Sequence, residues 1–148
     1  NGVRDYALGM ALIVGTLVAV NLVAVAILGH DPLADLKQFA GVFKGDAWLL
    51  ALLIVAVGAP LSEELLFRGF LQAALTKSSL GFWGGAAVSV ILWTALHAGY
   101  TVVGMLEVVL IGIVFSYMLK RSGSLRVSLT CHALYNGALA FYTRFVMP

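Results

Sequence analysis

The stretch YALGMALIVGTLVAVNLVAVAILG, residues 6–29, holds no charged side chain, and Asn21 is its single strongly polar one. As a helix it is long enough to cross the hydrocarbon core of a bilayer. Such a segment makes lipid, rather than water, the solvent in which the chain folds. The composition agrees: 61% of the 148 residues are hydrophobic and 11% charged, where a soluble domain is nearer a quarter charged. Mean hydropathy is +1.01, and a water-soluble fold of this length could not hide that much apolar surface.

After a polar loop of amphipathic character at 30–46, HDPLADLKQFAGVFKGD, four more apolar stretches follow. The longest, 47–77, is broken only by Gly58, Pro60 and a charged trio. As one helix it would reach roughly 46 Å, so it is expected to tilt, kink near Pro60 or project from the membrane. The others cover 82–98, 102–119 and 125–145. The expected fold is all-α, a polytopic transmembrane bundle of about five spans enclosing a polar cavity. An N-terminal helix and loop would occupy 1–46 and a helical core 47–148, as one structural domain overall. The chain opens on Asn1 rather than Met, so a fragment or processed product is expected.

The formal net charge is +2 and the nine Lys and Arg are dispersed. Without a basic patch interleaved with aromatics, nucleic acid is not an expected partner. Cys131 stands alone, which excludes an intrachain disulfide and a Cys-rich zinc site. If five spans alternate, Arg4, Lys77, Lys120, Arg121 and Arg126 share one side. The loop at 30–46 sets Asp31, Asp35 and Asp46 against Lys37 and Lys44. The excess of basic residues then puts the N-terminus in the cytoplasm.

The charged trio sits in GAPLSEELLFRGF, residues 58–70. Glu64 and Arg68, at i,i+4, lie on nearly one helix face and neutralise each other, at less cost than either charge alone in lipid. Glu63 points about 100° away and has no partner on its own helix. An unpaired, desolvated carboxylate is a stronger base than one in water. WTALHAGY sets His97 near the far end of the third span, and CHALYNGAL sets His132 and Asn136 at i,i+4 on the fifth. Counted from the basic ends of their helices, Glu63 lies roughly 21 Å deep and His97 roughly 22 Å. His132 and Asn136 lie roughly 12 and 18 Å deep. Polar groups on three helices thus reach overlapping depths, which describes a site rather than scattered core polarity.

A carboxylate and an imidazole can hold and deprotonate one water. An imidazole N–H and an Asn amide can donate to an oxygen that gains negative charge. Together they suit water attack on a carbonyl, as in amide hydrolysis. Glu63, His97 and His132 could instead ligate zinc with Asn136 assisting; spacing does not choose, since HExxH is absent and the three come from different helices.

EELLFR (63–68), WTALH (93–97) and HALYN (132–136) match, in order, the motifs EExxxR, FxxxH and HxxxN. In these the chain, over roughly residues 48–142, resembles the CPBP intramembrane proteases. That family includes CAAX prenyl endopeptidases and bacteriocin-processing or immunity proteins of the Abi type. The resemblance implies a helical membrane bundle around a cavity and a glutamate-dependent endopeptidase without a cofactor, zinc being the alternative. It implies that Glu63 with His97 activates water, that His132 and Asn136 form the oxyanion pocket, and that Glu64 and Arg68 support the architecture. Trp93 stands where the second motif usually has Phe, which bears on pocket shape. The family's CAAX members carry further helices. The implied partners are the bilayer and a membrane-anchored or prenylated protein or peptide.

Other residues read as structural. His30 is expected to be a solvated loop histidine and Glu107 an interfacial residue beyond the depth of the site. Cys131 points about 100° from His132, so it is expected in the core rather than in a dyad. Gly104, Gly112 and Ser116 let helices approach closely. Trp48, Trp83 and Tyr100 are expected to anchor at the interfaces. Against the endopeptidase stand a non-catalytic immunity or scaffold protein of the same family, and a proton or ion carrier. The carrier is disfavoured because no second acidic relay runs through the remaining spans.

Overall fold

The uncharged N-terminal stretch winds into α1, Val3–Leu28, because in lipid a single apolar segment has to bond its own backbone groups. It stops at Gly29, whose φ of 61° is a left-handed conformation that glycine adopts without a Cβ penalty; its N–H returns to Val25 O. The computed structural model describes residues 2–148; Asn1, the first residue of the expected N-terminal region, lies outside them. Two short helical turns, Ala34–Lys37 and Ala40–Lys44, shape the loop that follows. Then come α2, Trp48–Thr76; α3, Gly81–Ala95; α4, Val102–Ser122; and α5, Leu125–Phe145. No strand occurs among the described residues. The protein is an integral membrane helical bundle.

Three of these helices, α1, α2 and α4, are long and apolar enough to cross a membrane alone. The expected third span is shorter than read from sequence: α3 ends at Ala95, and His97 sits in the turn beyond it. The 15 residues of α3 rise only about 22 Å. With 21 residues α5 is long enough, but its His132, Asn136, Ser128 and Thr143 lower its hydropathy.

Around Pro60, α2 changes its hydrogen-bond register. Ile54–Gly58 and Glu64–Gln72 wind as π-helix, and the α-turn Ala59–Glu63 between them carries Pro60 in its first turn. Proline has no N–H and its ring clashes with the carbonyl four residues back; a wider turn just before it accommodates both. π-Helical insertions gather at functional sites.

The core joins Ile13 of α1, Phe67 of α2, Trp93 of α3, Phe115 and Met118 of α4, and Val127 and Cys131 of α5. Gly9 is required here, since a Cβ at that position would lie 2.7 Å from Cys131 Sγ. Cys131 is fully buried, as expected of a core residue. Side chains such as Val18 and Leu22 on α1 and Leu53 and Val57 on α2 stay exposed, as lipid contact requires.

The two ends of the bundle are distinct. Arg121 pairs with Asp5 at 3.4 Å, and Lys120 lies 4.9 Å from the Trp83 ring. The start of α1, the α2–α3 turn and the α4–α5 turn therefore gather at one end, as the alternation of five spans predicted. At the other, Lys44 donates to the carbonyls of Met147 and Pro148, and Arg144 lies 5.4 Å from the Trp48 ring. There Asp35 accepts from both the N–H and the hydroxyl of Thr101, each at 2.7 Å. This fastens the 30–46 loop to the N-terminus of α4. A Cβ on Gly104 would collide with that carboxylate.

Candidate active site

Glu64 and Arg68 are both fully buried and meet at 3.2 Å (Oε1 to Nη1). Arg68 Nη2 donates to Gly112 O at 3.4 Å, and the guanidinium lies 4.3 Å from the Trp93 ring centroid. Gly112 makes that approach feasible, because a Cβ there would press within 3.1 Å of Nη2. The same Glu64 oxygen receives His132 Nδ1 at 3.2 Å. A carboxylate oxygen accepts, so the ring donates through Nδ1. Phe115 stacks on the His132 ring at 4.8 Å. One carboxylate thus ties α2 to α5 and, through Arg68, to α4.

Glu63 leaves α2 toward a cavity of about 390 Å³, which His97, His132 and Asn136 also line. Its side chain is 20% exposed. Its Oε2 accepts a 2.6 Å hydrogen bond from Trp93 Nε1 and lies 3.8 Å from His132 Nε2. With Nδ1–H committed to Glu64, the ring in its neutral form presents a lone pair at Nε2. Two acceptors at that separation are not bonded to each other. Two hydrogen bonds of about 2.8 Å meeting at one oxygen bridge acceptors roughly 4 Å apart. The gap therefore fits one water.

His97 Nδ1 lies 3.1 Å from Trp93 O. A carbonyl only accepts, so Nδ1 is the protonated nitrogen and Nε2 carries the lone pair. Asn136 Nδ2 donates to Val55 O, in the first π-helical turn, at 3.0 Å. That leaves its second amide hydrogen uncommitted.

All four candidate reacting residues therefore border one cavity. His132, rather than His97, is the ring within ion-pair reach of Glu63. Sequence reading gave Trp93 a role in shape alone; its N–H in fact fixes Glu63. The departure from Phe was the available signal, since Phe has no donor there. One expectation is corrected, and two further residues border the same space. Glu107 faces this cavity, where Asn21 Nδ2 donates to it. His30 also lines it, because the 30–46 loop folds over the bundle end. Tyr100 packs on His97 at 5.2 Å and borders the same space.

Glu63, His97 and His132 do not assemble as a metal-ligand group. Among the described residues no three His, Cys, Asp or Glu side chains cluster as a metal would require. No step below runs through a metal.

Trp93→Phe is expected to lower the rate of a reaction at Glu63 about tenfold by removing the hydrogen bond to its carboxylate, and also to lower the melting temperature in detergent, because the lost indole is buried in the core against Arg68. Steady-state cleavage rates beside a thermal melt check this.

The family model described as "Type II CAAX prenyl endopeptidase Rce1-like" matches residues 45–138. An Escherichia coli protein described as "Uncharacterized 24.3 kDa protein" is 31% identical over 130 residues, covering 84% of this chain and 59% of its own length. The chain thus spans about three fifths of that relative. No solved structure matches it.

Proposed function

This chain belongs to the Rce1-like type II CAAX prenyl endopeptidase family, and from that premise we propose that it hydrolyses a peptide bond of a membrane-associated substrate with water activated by Glu63. The observation that carries the reading is the 3.8 Å gap between Glu63 Oε2 and His132 Nε2, on helices far apart in sequence, at the wall of a membrane cavity. Glu63 and His132 hold the water there. Glu63 takes one proton as the water oxygen bonds to the substrate carbonyl carbon. The carbonyl oxygen gains negative charge and draws on the free amide hydrogen of Asn136. The C–N bond breaks as Glu63 returns the proton to the leaving nitrogen, giving a carboxylic acid and an amine. His97 Nε2, a bare acceptor, orients the N–H of the scissile amide. Glu64 and Arg68 keep His132 in its ring orientation, and Trp93 keeps Glu63 aimed.

The substrate class is a membrane-anchored or prenylated protein or peptide, in keeping with the family. The end of the bundle bearing Arg4, Lys77, Lys120, Arg121 and Arg126 faces the cytoplasm by its excess of basic residues. The deciding experiment is membrane proteomics of cells making the wild-type or the Glu63→Gln protein. A substrate that accumulates uncut with the variant supports the reading; identical proteomes with retained biological effect would favour a non-catalytic immunity or scaffold role. Cleavage by purified protein is also expected to continue after exhaustive chelation. Stoichiometric zinc whose removal stops turnover would overturn the metal-free mechanism.

A further inference from the structure

We propose that Glu107 is the specificity carboxylate of the cavity and that it selects substrates with a Lys or Arg side chain close to the scissile bond. The inference rests on the reading of this cavity as a peptide site and narrows its substrate class. Three observations support it.

The first is depth. Arg68 Nη2 touches Gly112 O, which fixes the level of α2 against α4. Both helices run from the 30–46 loop end toward the opposite end. Glu63 lies five residues before Arg68, and Glu107 five residues before Gly112. The two carboxylates therefore stand at a similar height, each roughly 7 Å from that contact, and both border the cavity. A peptide bond presented to Glu63 would thus lie at the level of Glu107 in the same cavity.

The second is how Glu107 is held. Asn21 Nδ2 donates to Leu17 O and to Glu107 Oε1, so both amide hydrogens are spent. No hydrogen bond reaches the second oxygen, Oε2, which is not fully buried, and Glu107 borders the cavity. Asn21 belongs to α1, upstream of the residues that match the family model. Its use there accounts for the one strongly polar side chain in the uncharged stretch 6–29.

The third is charge balance. Among the described residues Glu63, Glu107 and Asp35 line the cavity, and no Lys or Arg does. Both oxygens of Asp35 are committed to Thr101. An acidic side chain beside Glu107 would meet like charge without a cation to receive it. A guanidinium or ammonium on an aliphatic stem would meet Glu107 Oε2.

The test measures binding as well as turnover, so that it stands apart from the hydrolase reading. Fluorescent apolar membrane peptides carry a single Lys, Ala or Glu, moved one position at a time, and are titrated against full-length Glu63→Gln protein in nanodiscs. At one or two adjacent positions Lys is expected to bind about tenfold tighter than Ala, with Glu weakest. Adding Glu107→Gln, which keeps an acceptor for Asn21, removes the Lys preference, and Glu107→Lys turns it toward Glu. Affinity that ignores the charge at every position, or a Lys preference that survives Glu107→Gln, overturns the proposal. The same peptides given to the Glu63 protein report cleavage separately: charge-selective binding without hydrolysis would sustain Glu107 and refute the hydrolase.

Discussion

Glu63→Gln is expected to lower kcat by about 10²–10⁴ while the purified protein folds and melts as wild type. Gln cannot take a proton from water, yet its amide oxygen still accepts the hydrogen bond that Trp93 Nε1 gives Glu63 at 2.6 Å. Its volume is nearly that of Glu, so the wall of the cavity keeps its shape. A side chain that is 20% exposed and borders open space also carries little packing energy. Loss of rate at constant stability separates a reacting group from a structural one, and turnover of a membrane-anchored peptide beside a detergent melt would measure both. Turnover within threefold of wild type would remove Glu63 from the chemistry.

The opposite pattern is expected one residue along the chain's ion pair. Arg68→Ala leaves Glu64 buried without its cation, a change that costs about 3–5 kcal/mol when one member of a buried pair is removed. Here the deficit is compounded, because Glu64 Oε2 already has no hydrogen-bond partner among the described residues. His132 alone would remain beside the carboxylate, at 3.2 Å. The variant should be recovered mostly as aggregate, or melt well below wild type. Replacing both, Glu64→Met with Arg68→Met, is expected to restore much of the stability, since apolar groups of similar length need no counter-charge. It should not restore turnover, because His132 then loses the acceptor that fixes Nδ1. Equal melting temperatures for wild type and Arg68→Ala would show that the pair is not a structural element.

Much of this was legible in the residues because helical spacing is rigid. The i,i+4 relation of Glu64 to Arg68, and of His132 to Asn136, follows from turn geometry whatever the partners. Apolar run lengths likewise bounded the helices to within a few residues, apart from the end of α3. What spacing could not give was distance across helices. Whether His97 or His132 stands nearer Glu63 depends on helix rotation, and the π-helical turns of α2 alter that rotation without any local composition signal. Glu107 was misjudged because depth was counted from the helix start, while the 30–46 loop folds inward and extends the cavity to that level. Trp93 was underread because its indole was treated as a ring rather than as a ring with a donor.

The wide turn of Glu64–Gln72 bears on how the protein is made. π-Helix is rare and occurs mostly as insertions within α-helices, so this winding is expected to depend on the contacts that Glu64 and Arg68 make with His132 and Gly112. On that account the side chains of the candidate site come into register only once α2 has docked on α4 and α5.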